Sequence, residues 1–163
     1  IFGGIADELA RDGVELIEPL RWLRPWLPEP GYSAGPALTE TQRSDAAFGL
    51  RIAKEISRLE IGQSVVVKDG TTLAVEGFEG TDACLERGGR LAGKDGGAVA
   101  VKVAREGHDL RFDIPCVGPK TLETCAAAGI RVLAVEASRT LLLDQPDLER
   151  LAQAHRVAVV AVD

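Results

Sequence analysis

The sequence predicts an α/β protein, in which a mixed β-sheet with flanking helices is built from repeated ββα units and is preceded by a fragment of a second α/β domain. Three observations lead to this fold class. After residue 39, short β-branched segments alternate with amphipathic helical segments. Two strands followed by a helix recur three times, and a last strand covers residues 157–162. Residues 5–17 have the pattern of the end of an earlier unit.

Length and charge restrict the functional class. The chain has 163 residues, which suits one domain or one domain with part of another. Its net charge of −6 argues against a nucleic-acid-binding protein. The three cysteines, Cys84, Cys116 and Cys125, have no CxxC spacing, so we expect reduced packing residues in a cytoplasmic protein. Methionine is absent and the chain begins at Ile1, so we expect a piece of a longer protein.

Residues 1–38 are predicted to be the end of an N-terminal domain and a linker, and residues 39–163 a C-terminal α/β domain of catalytic type. A helix over residues 5–11 is followed by a strand over residues 14–17. Trp22 and Trp26 share one helical face, which favours packing against another domain over contact with a lipid interface. A Pro- and Gly-rich linker follows.

The clearest local signals lie in the first ββα unit and in the helix that precedes it. Thr39 and Gln42 form a capping-box pattern, which predicts a helix over residues 40–59. Asp69 and Gly70 predict the turn of a hairpin between strands at 64–67 and 72–76. Thr81 is the expected N-cap of a helix that runs to about residue 91.

The second and third units follow the same order. Strands over residues 98–103 and 109–114 are expected to pair as a hairpin, and a helix begins at Gly118-Pro119 and ends at Gly129. Strands over residues 131–136 and 140–143 come next, and Asp144 is expected to cap the last helix.

A charged strand is the first candidate for a functional site. If residues 109–114 are extended, their side chains separate into an apolar face and a charged face: Leu110, Phe112 and Ile114 against Asp109, Arg111 and Asp113. Carboxylates with a guanidinium between them can hold a divalent cation and a phosphate oxygen. The alternative is the solvated face of a half-buried strand with its own ion pairs.

Helix starts are the second candidate. Residues 80–82, 118–121 and the turn 136–139 each combine a helix start with acidic, basic or hydroxyl side chains. Helix N-termini bind phosphate because their first N–H groups are unpaired, although ordinary capping explains each start singly. Residues 88–94 match G-x-x-x-x-G-K but lack the following Ser or Thr and follow a helix, so we reject a P-loop.

Several ordered blocks of the chain resemble a known family. They are residues 62–70, 73–76, 79–83 and 107–115, together with Lys102, Gly118-Pro119 and Thr121, and 135–137. In this order they resemble the C-terminal domain of the LpxI-type UDP-2,3-diacylglucosamine diphosphatases. The resemblance extends from about residue 40 to residue 162, and residues 1–39 resemble the end of that family's N-terminal domain.

The resemblance implies a Mg²⁺-dependent hydrolase of lipid A biosynthesis in Gram-negative bacteria. Such an enzyme splits UDP-2,3-diacylglucosamine into UMP and 2,3-diacylglucosamine 1-phosphate, lipid X, at the cytoplasmic face of the inner membrane. Peripheral contact with the membrane and a homodimer are both compatible with this expectation. The alternative is a non-catalytic α/β domain that binds a nucleotide sugar or mediates assembly.

Residues and resemblance together suggest roles for individual side chains. Asp82, Asp109 and Asp113 are the candidate catalytic carboxylates, and Asp82 and Asp109 are also the candidate Mg²⁺ ligands. Asp109 is the first choice for an essential group, so Asp109→Ala should abolish turnover. The candidate substrate-binding residues, which would neutralise or hydrogen-bond the UDP-sugar, are Thr81, Lys102, Arg111, Gln63 and Arg139.

Overall fold

Helices are interspersed with strands along the chain in the computed structural model, which describes residues 2–105, 111 and 113–163. The helices are α1 Phe2–Arg11, α2 Leu20–Leu23, a 3-10 helix Arg24–Trp26, α3 Glu40–Arg58, α4 Thr81–Leu91, α5 Pro119–Ala127 and α6 Gln145–His155. The strands are β1 Ser33–Ala34, β2 Ser64–Lys68, β3 Thr71–Val75, β4 Ala98–Lys102, β5 Cys116–Val117, β6 Ile130–Glu136, β7 Leu141–Leu142 and β8 Ala158–Val162.

Six of these strands form one mixed sheet in the order β1-β8-β6-β4-β2-β3. Strands β4, β6 and β8 are parallel to one another, whereas β2 is antiparallel to both β3 and β4, and β1 is antiparallel to β8. Strands β5 and β7 form a separate parallel pair. The predicted fold class, a mixed sheet with flanking helices, is therefore confirmed.

The sheet lies between two helical layers. Helix α3 covers one face, where Val65, Val67, Val99 and Val101 belong to one apolar cluster. Helices α4, α5 and α6 belong to the other side, where Val66, Ala100 and Leu133 lie in a second cluster. All five residues of β4 are buried, as expected for a central strand that is covered on both faces.

Local sequence signals predicted several elements correctly. The Thr39 hydroxyl accepts a hydrogen bond from the Gln42 N–H at 3.2 Å, and Gln42 Oε1 accepts one from the Thr39 N–H at 2.9 Å, which completes the capping box of α3. The β2–β3 hairpin turns at Asp69-Gly70 as predicted. The buried Asp45 carboxylate accepts hydrogen bonds from the N–H groups of both turn residues, and so joins the turn to α3.

The predicted strand over residues 109–114 is wrong for the residues that the structure describes. Arg111 is in a turn, and residues 113–115 have no regular structure. Residues 106–110 and 112 lie outside the described part of the chain. A hairpin partner for β4 has no place in the sheet, because β2 and β6 already pair with its two edges. The strand of this region is instead the two-residue β5, which pairs with β7.

Five other local predictions need correction. Residues 14–17 contain no strand, and the segment predicted as a linker contains β1. The N-cap of α4 is Gly80, with φ +84°, and Thr81 is the first helical residue. Cys84 and Cys125 are buried as expected, but Cys116 is exposed. Strand β7 is shorter than predicted.

Candidate active site at the carboxyl edge of the sheet

The carboxyl ends of the parallel strands meet at one edge of the sheet. Strands β4, β6 and β8 end there at Lys102, Glu136 and Val162. Strand β3 ends at the same edge, since β2 is antiparallel to both β3 and β4. In open α/β sheets, ligands bind in the crevice outside the carboxyl ends of the strands. A ligand-binding site is therefore expected at this edge.

Three polar side chains lie side by side at this edge, and we call them the polar row: Glu76, Ser64 and Lys102. Ser64 is the register partner of Lys102 across the β2–β4 pair. The Glu76 N–H donates to the Ser64 carbonyl at 2.8 Å, which places Glu76 next to Ser64 on the other side. Opposed residues of neighbouring strands point to the same face of a sheet. The row therefore presents a carboxylate, a hydroxyl and an ammonium in that order.

The polar row is almost entirely shielded from solvent. The relative exposures of Glu76, Ser64 and Lys102 are 4%, 1% and 9%. Glutamate and lysine are rarely buried to this extent without a partner, because removing a charge from water is costly. Two buried charged groups at the carboxyl edge of a sheet, where such folds bind their ligands, therefore mark a candidate functional site.

The N-terminus of α4 lies directly against the row. The Thr81 hydroxyl donates to Glu76 Oε1 at 3.1 Å and lies 3.5 Å from the Ser64 hydroxyl. Gly80 adopts a left-handed backbone that favours glycine, and it leaves the first turn of the helix without a side-chain cap. The N–H groups of this turn have no partner within the helix and carry the positive end of its dipole, so they can bind an anion.

The start of α5 lies on the other side of the polar row, near Lys102. Lys102 Nζ donates to the Cys116 carbonyl at 3.2 Å, two residues before Gly118, the N-cap of α5. Lys120 Nζ lies 3.8 Å from a carboxylate oxygen of Asp82, and so connects the first turns of α5 and α4. The starts of α4 and α5 therefore lie on the two sides of the polar row, and with the ammonium groups of Lys102 and Lys120 they form an arrangement that suits an anionic ligand.

Buried cysteines fill the space beneath the two helices. Burial, together with the nearby Asp82 carboxylate, raises the pKa of the Cys125 thiol to about 12. Burial also raises the pKa of the Cys84 thiol to about 12, against the lowering effect of Arg87. Both thiols are therefore protonated near neutral pH and serve as small apolar groups.

Another charged side chain, that of Glu136, lies on the opposite face of the sheet. Glu136 is buried and forms ion pairs with Lys54 of α3 and, at 3.5 Å, with Arg139. Its other oxygen accepts a hydrogen bond from the Ala104 N–H at 2.8 Å. Both carboxylate oxygens thus have partners. This group joins α3 to the sheet and the loop after β4.

The residues predicted from the sequence are distributed unevenly around the site. Thr81 and Lys102 lie in or against the polar row, and Asp82 lies at its solvent edge. The Gln63 carbonyl accepts a hydrogen bond from Val103, next to Ser64. Arg139 lies with Glu136 on the other face. Roles in binding or catalysis for these residues stay predictions.

The remaining predicted residues lie in or near the segment that is only partly described. Asp109 lies outside the described residues. Arg111 and Asp113 are exposed, and Arg111 lines a surface cavity of about 320 Å³ together with Asp7 and Ala10 of α1. Within the described part of the chain, no group of three or more His, Cys, Asp or Glu side chains is arranged to hold a metal ion.

Two members of the polar row were not among the predicted site residues: Ser64 and Glu76. The signal that the sequence offered is their polar character. Their pairing could not be counted from the hairpin turn, because regular counting outward from Asp69-Gly70 pairs Ser64 with Val75, and it is the register irregularity between Val66 and Val67 that brings Ser64 opposite Glu76. Both are polar residues at the ends of apolar strands, which is where an α/β sheet carries its ligand.

Comparison with known proteins decides the family. The model of the LpxI C-terminal domain matches residues 29–160. The UDP-2,3-diacylglucosamine pyrophosphatase LpxI of Caulobacter vibrioides is 36% identical to this chain over 126 residues. The chain belongs to the LpxI C-terminal domain family.

The expected LpxI resemblance is thus confirmed, and the matched region includes every member of the polar row. The alignment with the Caulobacter LpxI covers 74% of this chain and 45% of that protein. The chain therefore corresponds to less than half the length of this relative. None of the described helices of this LpxI-type domain is long and apolar enough to cross a membrane.

Proposed function

We propose that the full-length protein carrying this LpxI-type domain is a hydrolase of lipid A biosynthesis. It would cleave the diphosphate of UDP-2,3-diacylglucosamine and release UMP and 2,3-diacylglucosamine 1-phosphate. The observation that carries the proposal is the buried polar row, with its ammonium group and two adjoining helix N-termini, in a chain that belongs to the LpxI family. The name of the Caulobacter relative supports the same chemistry for that protein.

The described residues suit the diphosphate part of this substrate. A diphosphate is a compact group of negative oxygens, for which ammonium groups and helix N-termini are favourable partners. The ammonium of Lys102 would bind one of these oxygens at the buried end of the site, and Lys120 would bind at its exposed end. The N–H groups in the first turns of α4 and α5 would orient the remaining oxygens.

Magnesium forms part of the proposal. Mg²⁺ takes oxygen ligands and is commonly held by one or two carboxylates together with substrate phosphates and water. Asp82 fits this role, because its carboxylate is exposed beside the α4 N-terminus and its ion pair with Lys120 is long, 3.8 Å. Asp109 is the second proposed ligand. The bound ion would neutralise charge on the diphosphate.

A substrate with two acyl chains is a membrane lipid, so we place the reaction at the cytoplasmic face of the inner membrane. The protein would reach this substrate as a peripheral protein. Trp22 and Trp26 are both about half exposed and belong to the segment before the sheet. Tryptophan is favourable at such an interface because its ring is amphipathic.

The test measures UMP release by the full-length protein from UDP-2,3-diacylglucosamine in mixed micelles. We expect Mg²⁺-dependent release that EDTA abolishes. Lys102→Gln should lower kcat/KM by about 100-fold, since it removes a buried positive charge from the diphosphate site. Lys68→Gln is the matched control: Lys68 also lies at a strand end and donates to a carbonyl, that of Ala92 at 2.9 Å, but at the opposite edge of the sheet.

Two outcomes would contradict the proposal. Tight binding of the UDP-lipid without UMP release, with or without Mg²⁺, would indicate the alternative, a non-catalytic domain that binds a nucleotide sugar. Equal loss of activity in Lys102→Gln and Lys68→Gln would contradict the proposed role of Lys102, because the loss would then reflect stability and not diphosphate binding.

A further inference from the structure

Glu76 carries a feature that neither the fold nor the diphosphate site explains. One of its carboxylate oxygens, Oε1, accepts the hydrogen bond from Thr81. The other, Oε2, is buried and has no hydrogen-bond partner among the described residues. Buried polar atoms nearly always have a partner, and an unpaired charged oxygen is especially costly. Oε2 therefore marks a position where a hydrogen-bond donor belongs.

A structural role for Glu76 requires only one of its two oxygens. Holding the Thr81 hydroxyl needs a single acceptor, which a neutral glutamine would supply equally well at this position. Glutamine would also avoid the cost of burying a charge. The bond to Thr81 therefore does not by itself require a carboxylate at residue 76.

The position of Oε2 suggests which donor it takes. Glu76 lies in one row with Lys102, with Ser64 between them, so neighbouring side-chain origins are about 5 Å apart. An anion bound to Lys102 and to the first turn of α4 would lie next to the carboxylate. A carboxylate repels a phosphate oxygen, but it attracts a small neutral donor between itself and the phosphorus. A water molecule is small, neutral and a hydrogen-bond donor, so it suits this position.

We propose that Glu76 is a catalytic residue that holds the attacking water through Oε2 and accepts its proton. This inference rests on the proposed function and assigns the water to Glu76, while Asp82 and Asp109 keep their proposed metal-binding role. As the water oxygen bonds to phosphorus, one proton moves to Oε2. The bond from phosphorus to the bridging oxygen breaks, and its electron pair leaves with the departing phosphate. The proton then passes to solvent, so Glu76 is regenerated.

The orientation of Glu76 depends on Thr81. Because the Thr81 hydroxyl donates to Oε1, it fixes the carboxylate plane and turns Oε2 away from Thr81. This bond also means that the hydroxyl proton of Thr81 is directed to Glu76 and not to a phosphate. The backbone N–H of Thr81 remains the donor to the anion. Thr81 is thus a positioning residue for the carboxylate as well as part of the helix N-terminus.

The primary test uses the full-length protein and compares Glu76→Gln with Glu79→Gln in the UMP assay. Glu79 is the matched control because it lies in the same loop, pairs with Arg87 and is about 35% exposed, whereas Glu76 is buried. We expect Glu76→Gln to keep KM within about threefold and to lower kcat by about 100- to 10,000-fold, since it keeps the shape of the side chain but removes the base. Glu79→Gln should keep wild-type kcat.

Chemical rescue separates a catalytic from a structural role. In Glu76→Ala, added formate should restore part of kcat, because a small carboxylate can occupy the vacated space and accept the proton. Formate should have no effect on Glu76→Gln, in which the space is filled. Failure of formate to raise kcat in a folded Glu76→Ala protein would count against the assignment.

A substitution at Thr81 tests the proposal even if the Glu76 variants do not fold. Thr81→Val removes the bond that orients the carboxylate but keeps the backbone N–H. It should lower kcat by about tenfold at unchanged KM, and Thr81→Ser should restore kcat. Wild-type kcat in Thr81→Val would contradict the role of this bond and, with it, the proposed orientation of Oε2.

The outcomes distinguish this inference from the function on which it rests. If the wild-type protein releases UMP and Glu76→Gln does so at the same kcat, only the role of Glu76 is refuted. If Glu76→Gln keeps kcat but raises KM, Glu76 contacts the substrate and the water assignment is wrong. If the wild-type protein releases no UMP with Mg²⁺ present, the proposed function fails and the role of Glu76 fails with it.

Discussion

Tyr32 shows how one side chain joins distant parts of the chain. It precedes β1, and its hydroxyl donates to Glu149 Oε1 of α6 at 3.0 Å. Its carbonyl accepts a hydrogen bond from the Ala161 N–H of β8 at 3.0 Å. Burial, together with the Glu149 carboxylate, raises the pKa of the Tyr32 phenol from 10.0 to about 12. The folded state therefore retains the phenolic proton more strongly than the unfolded state does.

Because Tyr32 is the single tyrosine of the chain, its titration can be followed directly. Tyrosinate absorbance should have a midpoint near pH 12 in the folded protein and near pH 10 in denaturant. Since the folded pKa is raised, the stabilisation is complete below pH 10 and is lost as pH rises from about 10 to about 12. Glu149→Gln should lower the folded midpoint, and Glu123→Gln, on the exposed side of α5, should not.

At the scale of a single element, α4 depends on two interior glycines that allow it to approach its neighbours. A Cβ on Gly88 would lie 2.4 Å from the Val66 Cβ, and one on Gly89 would lie 2.1 Å from the Ala128 carbonyl oxygen. These residues also formed the rejected P-loop pattern. Their actual role is close packing, which brings the N-terminal turn of α4 against the polar row.

Gly88→Ala should destabilise the protein despite the higher helix propensity of alanine. Alanine is intrinsically favoured over glycine by about 1 kcal/mol in a helix. The contact with Val66 requires the helix or strand to shift, so we expect a net loss of roughly 1–3 kcal/mol. Gly4→Ala in α1 is the control, because nothing lies within 4 Å of its added Cβ. Urea unfolding should show a lower midpoint for Gly88→Ala only.

For the whole molecule, the sheet and its two helical layers form the packed unit. Helix α3 packs on β2 and β4, and α5 packs on both α4 and α6. Helices α1 and α2 have no comparable packing against the sheet. Among the described residues, the first backbone hydrogen bonds from this part of the chain to the packed unit are the bond from the Ser138 N–H to the Pro28 carbonyl, at 2.8 Å, and those of the β1–β8 pair. The predicted division of the chain between residues 38 and 39 stays a prediction.

Truncation tests where the folding unit begins. Removal of residues 1–27 should leave the midpoint of thermal unfolding nearly unchanged, because the connections to the sheet begin at Pro28. Removal of residues 1–36 should lower the free energy of unfolding by roughly 1–3 kcal/mol, since it also deletes β1 and the Tyr32 hydrogen bond. An equal effect of both deletions would contradict this boundary. Circular dichroism measures both transitions.

Much of the fold could be predicted because its signals are local. The capping box of α3 and the Asp69-Gly70 hairpin each depend on a few adjacent residues. The start of α5 at Pro119 and the left-handed Gly129 after its end follow from backbone preferences of proline and glycine. The candidate site was predictable only in part: of the predicted residues, Thr81 and Lys102 lie at the polar row, whereas Ser64 and Glu76 were not among the predicted residues.

The sequence by itself determined the family, the ββα order, the capping box of α3 and the Asp69-Gly70 turn. Tertiary structure decided the rest: that β4 pairs with β2 and β6 and has no hairpin partner, and that Glu136 and Arg139 lie on the face opposite Lys102. It also decided that Glu76, Ser64 and Lys102 form one buried row. The physical reason is that strand order and burial depend on contacts between distant segments, and local periodicity carries no information about which segments become neighbours.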